Sequence, residues 1–133
     1  MNFIFGGTAQ GKLKFAIDKY DQNVEVYDLK RSSIFDVISE KKETIINLQD
    51  GVAQLLKAGL NPKDYIETNI DKFDNKVLIG NEIGCGIVSM DAFDRLWRDE
   101  TGRVYQFIAA QSIIVDRVWA GIGMNLKSSN ISK

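Results

Sequence analysis

The chain has 133 residues, 17 basic and 18 acidic, with 44% hydrophobic and 26% charged residues, one proline, one cysteine and no histidine. That length suits one domain and buries a core without disulfide or metal staples, and a formal charge of −1 with no block of like charge points away from nucleic acid. The missing histidine removes His-based metal sites, Ser-His and Cys-His nucleophiles and histidine acid-base chemistry together. A lone Cys85 allows no internal disulfide and fits a reducing compartment, so a cytoplasmic location is expected. No apolar run approaches the roughly 18 residues that span a bilayer. Met1 to Gly7 lacks the basic and long apolar regions of a secretion signal.

In chain order, Asn2 to Phe5 reads as a buried strand stopped by Gly6 and Gly7. A helix follows from Gly11, with Phe15, Ala16 and Ile17 on its apolar face. Val24 to Tyr27 reads as a strand, and Ser32 and Ser33 precede a short amphipathic helix over Ile34 to Ile38. Lys41 to Glu43 reads as a surface turn and Thr44 to Leu48 as a central strand. A helix after Asp50 stops at Gly59, and Asn61-Pro62 starts another that runs to Phe73. Val77 to Ile79 is the next strand, followed by Gly80 and the small-residue loop Gly84-Cys85-Gly86. Ser89 or Asp91 caps the longest helix, whose apolar residues from Phe93 through Phe107 and Ile108 to Ile114 keep a helical period. Val118 to Ala120 reads as a last core strand and Met124 to Leu126 as an edge strand. Strands alternating with helices predict one α/β domain over 1–127, with a mostly parallel sheet, helices on both faces and a polar tail over 128–133.

The turn after the first strand is Gly6-Gly7-Thr8-Ala9-Gln10-Gly11-Lys12, which is G-x-x-x-x-G-K between a strand and a helix. Backbone N–H groups in such a turn cradle phosphate oxygens, the helix N-terminus adds a favourable dipole, and Lys12 reaches the outer phosphates. The next position calls for a Ser or Thr hydroxyl on the Mg²⁺ side, and here it is Leu13. The bland alternative is a glycine-rich turn with a solvated lysine.

Residues further along carry a more specific signal. Val77 to Val88, reading VLIGNEIGCGIV, resembles the strand and loop VLVxNEVGxGIV of the adenosylcobinamide kinase/adenosylcobinamide-phosphate guanylyltransferase family. Trp97-Arg98-Asp99, Gly102-Arg103 and Gln106 look like the helix motif of that family, and Val118 to Gly123 is similar to its last strand and turn. Gly6, Gly7, Gly11 and Lys12 match its phosphate loop. The resemblance implies a phosphate-loop fold, a place in cobalamin assembly, ATP or GTP with Mg²⁺ as cosubstrate, adenosylcobinamide as a partner, and a homo-oligomer. Family members phosphorylate adenosylcobinamide and then transfer GMP through a guanylylated histidine.

Departures from the family bear on mechanism. Ala9 and Gln10 replace its Arg-Ser pair, Leu13 the metal-side Ser, Tyr105 the helix Asn and Ser89 a Pro. The segment over 21–73 is shorter than the family's middle section, which holds the guanosine contacts and the nucleophile. With no histidine, this chain forms no phosphoramidate on histidine. Two readings follow: a degenerate nucleotide- or phosphate-binding member without the guanylyltransferase step, or a reduced kinase acting on adenosylcobinamide.

The site expected is therefore Gly6, Gly7, Thr8, Ala9, Gln10, Gly11, Lys12 and Leu13 for phosphate, with Lys12 and Glu82 as candidate catalytic residues and Asp50, Asn81 and Arg103 as further candidates. No resident metal site is expected. Glu82 reads as a carboxylate at the end of a core strand or as a loop acid bonding backbone amides. Asp50 reads as a metal-side acid or as a helix cap. Asp99 and Arg103, at i and i+4, make an ordinary ion pair. Trp97, Phe107 and Trp119 are expected in the core, and Cys85 as a small residue in a tight loop.

Overall fold

The computed structural model describes residues 1–20, 25–83 and 91–128. The strands are β1 (Asn2–Gly6), β2 (Glu25–Asp28), β3 (Glu43–Ile46), β4 (Val77–Asn81), β5 (Ile114–Trp119) and β6 (Ile122–Ser128). Between them lie helices α1 (Lys12–Lys19), α2 (Leu48–Lys57), α3 (Pro62–Thr68) and α4 (Ala92–Gln111). The strands form one sheet in the order β2-β3-β4-β1-β5-β6, parallel except for β6, which pairs antiparallel with β5. This is the mostly parallel α/β sheet that the alternation of elements predicts.

Burial on both faces explains why the central strands are nearly continuous apolar runs. Phe3, Ile45, Leu78 and Val115 pack under Val52 and Leu55 of α2, Ile66 of α3, and Val104 and Ile108 of α4. On the other face Ile4, Ile79 and Val118 meet Ala16, Leu13 and Phe15 of α1. Neighbouring strands β1 and β4 thus send their following helices to opposite faces. That divergence opens a crevice at their carboxyl ends, where parallel sheets place ligands.

Several boundaries differ from the sequence reading, each for a local reason. Glu43 opens β3 and is only 3% exposed, because it pairs in register with Glu25 rather than turning at the surface. Leu48 starts α2 instead of ending β3. Asn47, in the left-handed region at φ 60°, is the helix cap, so Asp50 falls inside the first turn and is not the cap. The helix after Pro62 ends at Thr68 and a separate 3-10 turn covers Ile70–Lys72; Asn61 caps it as expected, accepting the Asp64 N–H at 3.1 Å. The segment after Ser33 is a 3-10 turn over Ile34–Asp36, with the Ser33 hydroxyl accepting the Phe35 N–H.

Asp91 caps α4 by accepting the Phe93 N–H at 2.7 Å. The helix stops at Gln111, and Ser112 bonds back to the Ile108 carbonyl. Ile114 therefore belongs to β5, extending that strand well ahead of Val118. Ala120, at φ 52°, sits in the β5–β6 turn rather than the strand. β6 is longer than Met124 to Leu126, and Trp119 is 63% exposed on this outer hairpin instead of in the core. Trp97 and Phe107 are partly buried against the core as expected. Val24, Gly84-Cys85-Gly86, Ser89 and residues 129–133 lie outside the described residues. No helix among the described residues is long and apolar enough to cross a membrane.

Candidate functional site

The turn after β1 is shaped by two residues in the left-handed region, Ala9 at φ 59° and Gly11 at φ 86°. Gly11 faces the β5–β6 turn closely, and a Cβ on it would lie 3.3 Å from the Gly121 Cα. A Cβ at Gly6 would collide with the Val118 carbonyl of β5. Small residues are thus required where the loop leaves the sheet and where it enters α1. Gln10 ties the loop to the same turn: its side-chain Oε1 accepts the Ala120 N–H at 2.6 Å and its carbonyl accepts the Gly121 N–H at 2.8 Å.

Lys12, first residue of α1, is not the solvated lysine of the bland reading. It is 8% exposed, and its Nζ donates to the Gly7 carbonyl at 2.5 Å, closing the loop on itself. Burial lowers its pKa from the ordinary 10.5, and the Glu82 carboxylate opposes that shift. The loop borders a cavity of about 320 Å³ between α1 and the ends of β3 and β4, into which Lys12, Lys14, Lys30, Thr8, Asn47 and Asn81 contribute. Three lysines and, among the described residues, no carboxylate line it, with Lys14 paired to Asp18 at 3.0 Å. The chemistry of such a wall is anion binding.

Asn81, at the end of β4, stands beside the loop. Its backbone N–H donates to Gln49 Oε1 at 2.9 Å, its carbonyl accepts the Tyr105 hydroxyl at 2.7 Å, and its Nδ2 is 3.5 Å from Thr8 Oγ1. Gln49 is a junction: its carbonyl accepts the Trp97 indole N–H at 2.8 Å and its Nε2 reaches Asn47 Oδ1 and Asp50 Oδ2. Burial, then the charges of Asp50 and Glu82, push the Tyr105 phenol well above its ordinary 10.0. Tyr105 fits because Gly80 leaves its ring room.

Glu82 is anchored to the loop by its N–H, which donates to the Gly6 carbonyl at 2.8 Å. Its carboxylate accepts two bonds from Arg117, Nε to Oε1 at 2.6 Å and an NH2 group to Oε2 at 3.2 Å. Among the described residues Glu82's carboxylate bonds Arg117 and no backbone amide, and it lines a separate pocket with Arg98 and Tyr105 rather than the cavity over the loop.

The structure brings together Gly6 to Leu13 and Asn81, with Glu82 at their edge. It does not bring Asp50 or Arg103 to them. Asp50 lines a different cavity between α2 and Lys30, and burial raises its carboxyl pKa. Arg103 is exposed on α4 and pairs with Glu100 at i−3, not with Asp99. The sequence reading missed Arg117, Gln49, Lys30 and the latching role of Gln10. Arg117 left one signal, a charged residue in the middle of a strand beside Asp116; the others depend on folding.

Among the described residues, the positions expected on the Mg²⁺ side are otherwise occupied. Leu13 has no oxygen, Glu82 is engaged by Arg117, Asp50 faces elsewhere, and among the described residues no group of three or more His, Cys, Asp or Glu comes together.

No curated protein matches the chain. The family described as cobinamide kinase / cobinamide phosphate guanyltransferase matches residues 17–126. The match starts after the phosphate loop and includes Asn81, Glu82, Tyr105 and Arg117, the residues that frame the loop from β4, α4 and β5. With that stretch covering most of the 133 residues, the chain belongs to the cobinamide kinase / cobinamide phosphate guanyltransferase family of cobalamin biosynthesis.

Proposed function

We propose that this chain is a degenerate member of its family that keeps a nucleotide- or phosphate-binding loop and lacks the guanylyltransferase step. The observation carrying this reading is the cavity over residues 8–13, lined by Lys12, Lys14 and Lys30 and, among the described residues, by no carboxylate. Lys12 and Lys30, with Lys14 shared with Asp18, offset phosphate charge without a metal, whereas a kinase of the phosphate-loop kind relies on a hydroxyl and an acid to hold Mg²⁺. The second half-reaction of the family proceeds on a histidine, and this sequence contains none. ATP or GTP is the ligand class, adenosylcobinamide the associated partner, and the cytoplasm the location consistent with a lone cysteine. A homo-oligomer is part of this reading, as the resemblance to the family implies.

The alternative is a reduced kinase that phosphorylates an adenosylcobinamide hydroxyl. Its specific support is the retained Lys12 at the start of α1, against a loop whose Ala9 and Gly11 lie in the left-handed region. Titration calorimetry with ATP and GTP, with and without Mg²⁺, followed by a phosphorylation assay on adenosylcobinamide, separates the two. Metal-independent binding without turnover is expected. Turnover abolished by Lys12→Ala would sink the non-catalytic reading, and no binding at millimolar nucleotide would sink both.

A further inference from the structure

On the α4 face of the sheet, two small cavities of about 190 Å³ and about 200 Å³ share Phe5 and Tyr105 and so form one groove. One wall is a stripe of α4, with Arg98, Gly102, Tyr105 and Ala109 at helical spacing. The floor is Phe3 and Phe5, whose rings stack at 5.5 Å. Arg117 of β5 lies in register with Phe5, and Met124 of β6 with Arg117, so strand pairing puts all three on this face. The turn at Ala120 and Gly121 joins β5 directly to β6, with no crossover helix between them. Lys127 closes the far end, its Nζ donating to the Ala109 and Ala110 carbonyls at 3.1 Å and 2.9 Å.

Packing explains neither of two features here. Gly102 lies inside a 20-residue helix, where glycine is unfavourable, yet among the described residues a Cβ on it would meet nothing within 4 Å. Its missing side chain leaves room in the part of the groove that Phe5 and Tyr105 also line. Arg98, half-buried at the head of the groove, makes no hydrogen bond or ion pair among the described residues. Glu82, at the same end, is already held by Arg117. The head thus offers a guanidinium without a partner, and the body behind it is apolar. We propose that this groove is a second ligand site, separate from the cavity over the phosphate loop, for a carboxylate with a slender apolar body such as an acyl chain. Arg98 takes the carboxylate as a two-bond fork, and the chain passes Gly102 and lies along Phe5 and Phe3 toward Ala109. The helix rises about 16 Å from 98 to 109, which suits an extended chain. Each methylene withdrawn from water adds affinity, so binding should tighten with chain length until the groove is full.

The test is calorimetry on the intact chain, with amide shifts at Phe5, Gly102 and Tyr105, using hexanoate, octanoate and decanoate below micelle formation. Octylammonium and octanol serve as controls of charge. Saturable binding that tightens from hexanoate to decanoate is expected, with octylammonium weaker than octanoate. Arg98→Gln should weaken octanoate about tenfold and leave octanol binding unchanged. Gly102→Leu replaces a helix-interior glycine, so it should raise the thermal transition while its side chain fills the groove and removes octanoate binding. Lys12→Met should leave octanoate binding intact, which keeps the fate of this site distinct from that of the phosphate loop. No saturable carboxylate binding to the folded wild type, octylammonium binding as tightly as octanoate, or undiminished binding by Gly102→Leu would each overturn the proposal. Self-association that Gly102→Leu abolishes, without carboxylate binding, would overturn it in favour of a second copy of the chain.

Discussion

Arg117 on β5 grips Glu82 after β4 through two parallel bonds, 2.6 Å and 3.2 Å long, next to the loop that carries Lys12. The pairing neutralises a carboxylate whose field reaches Lys12. Arg117→Met leaves that carboxylate uncompensated beside the anion cavity, so ATP affinity should fall about fivefold, on the scale of a partly exposed ion pair. The double variant with Glu82→Gln should regain most of it. Calorimetry on the four proteins of the cycle measures the coupling; additive losses would show that Arg117 does not act through Glu82.

Lys12 itself makes the largest expected contribution to the phosphate site. Lys12→Met keeps the buried stem and deletes the charge, and should weaken ATP or inorganic phosphate about 10- to 100-fold. Because the amine is already committed to the Gly7 carbonyl, the variant also frees that carbonyl, and the loop should show altered amide shifts at Gly7 and Gly11.

The same lysine sets a pH signature. Its pKa lies below the ordinary 10.5, and only the charged form attracts anion, so affinity should decline at lower pH than for an unperturbed lysine. The stability of the free protein has the opposite sign. Between the folded pKa and the higher unfolded one the unfolded chain binds the extra proton, so stability gains from Lys12 as pH rises through that window. Lys12→Arg stays charged throughout and should flatten the binding profile. A wild-type profile as flat as that variant's would contradict the shift.

Leu13 predicts indifference to metal. Adding Mg²⁺ should leave wild-type ATP affinity within about twofold, whereas Leu13→Ser supplies the missing hydroxyl and should make binding measurably Mg²⁺-dependent. Strong Mg²⁺ dependence in the wild type would mean that oxygen ligands other than the expected hydroxyl hold the ion.

Gln49→Leu tests the junction that holds Asn81. The substitution leaves the Asn81 N–H without its acceptor in a site where Gln49 is only 5% exposed, costing about 1–3 kcal/mol of stability. Thermal unfolding followed by Trp97 fluorescence reads the loss, since the indole N–H is bonded to the Gln49 carbonyl.

The sequence by itself determined the alternation of elements, the phosphate-loop turn and the family, because glycine spacing, apolar periodicity and motif order are local or linear properties. It also determined what is missing: a histidine and the hydroxyl at Leu13 are read directly from residue identity. Boundaries were less legible. Asn47, Glu43 and Ile114 have neighbours compatible with more than one element, and pairing in the sheet decided among them. Only the tertiary structure decided which charged residues meet. Asp50 and Arg103 looked like site residues by position along the chain, yet helix phase turns them elsewhere, while Arg117 and Lys30, distant from the loop in sequence, arrive beside it through strand order. The physical reason is that a side chain's partners depend on register and face, and one residue of slip in a strand moves a side chain to the other side of the sheet.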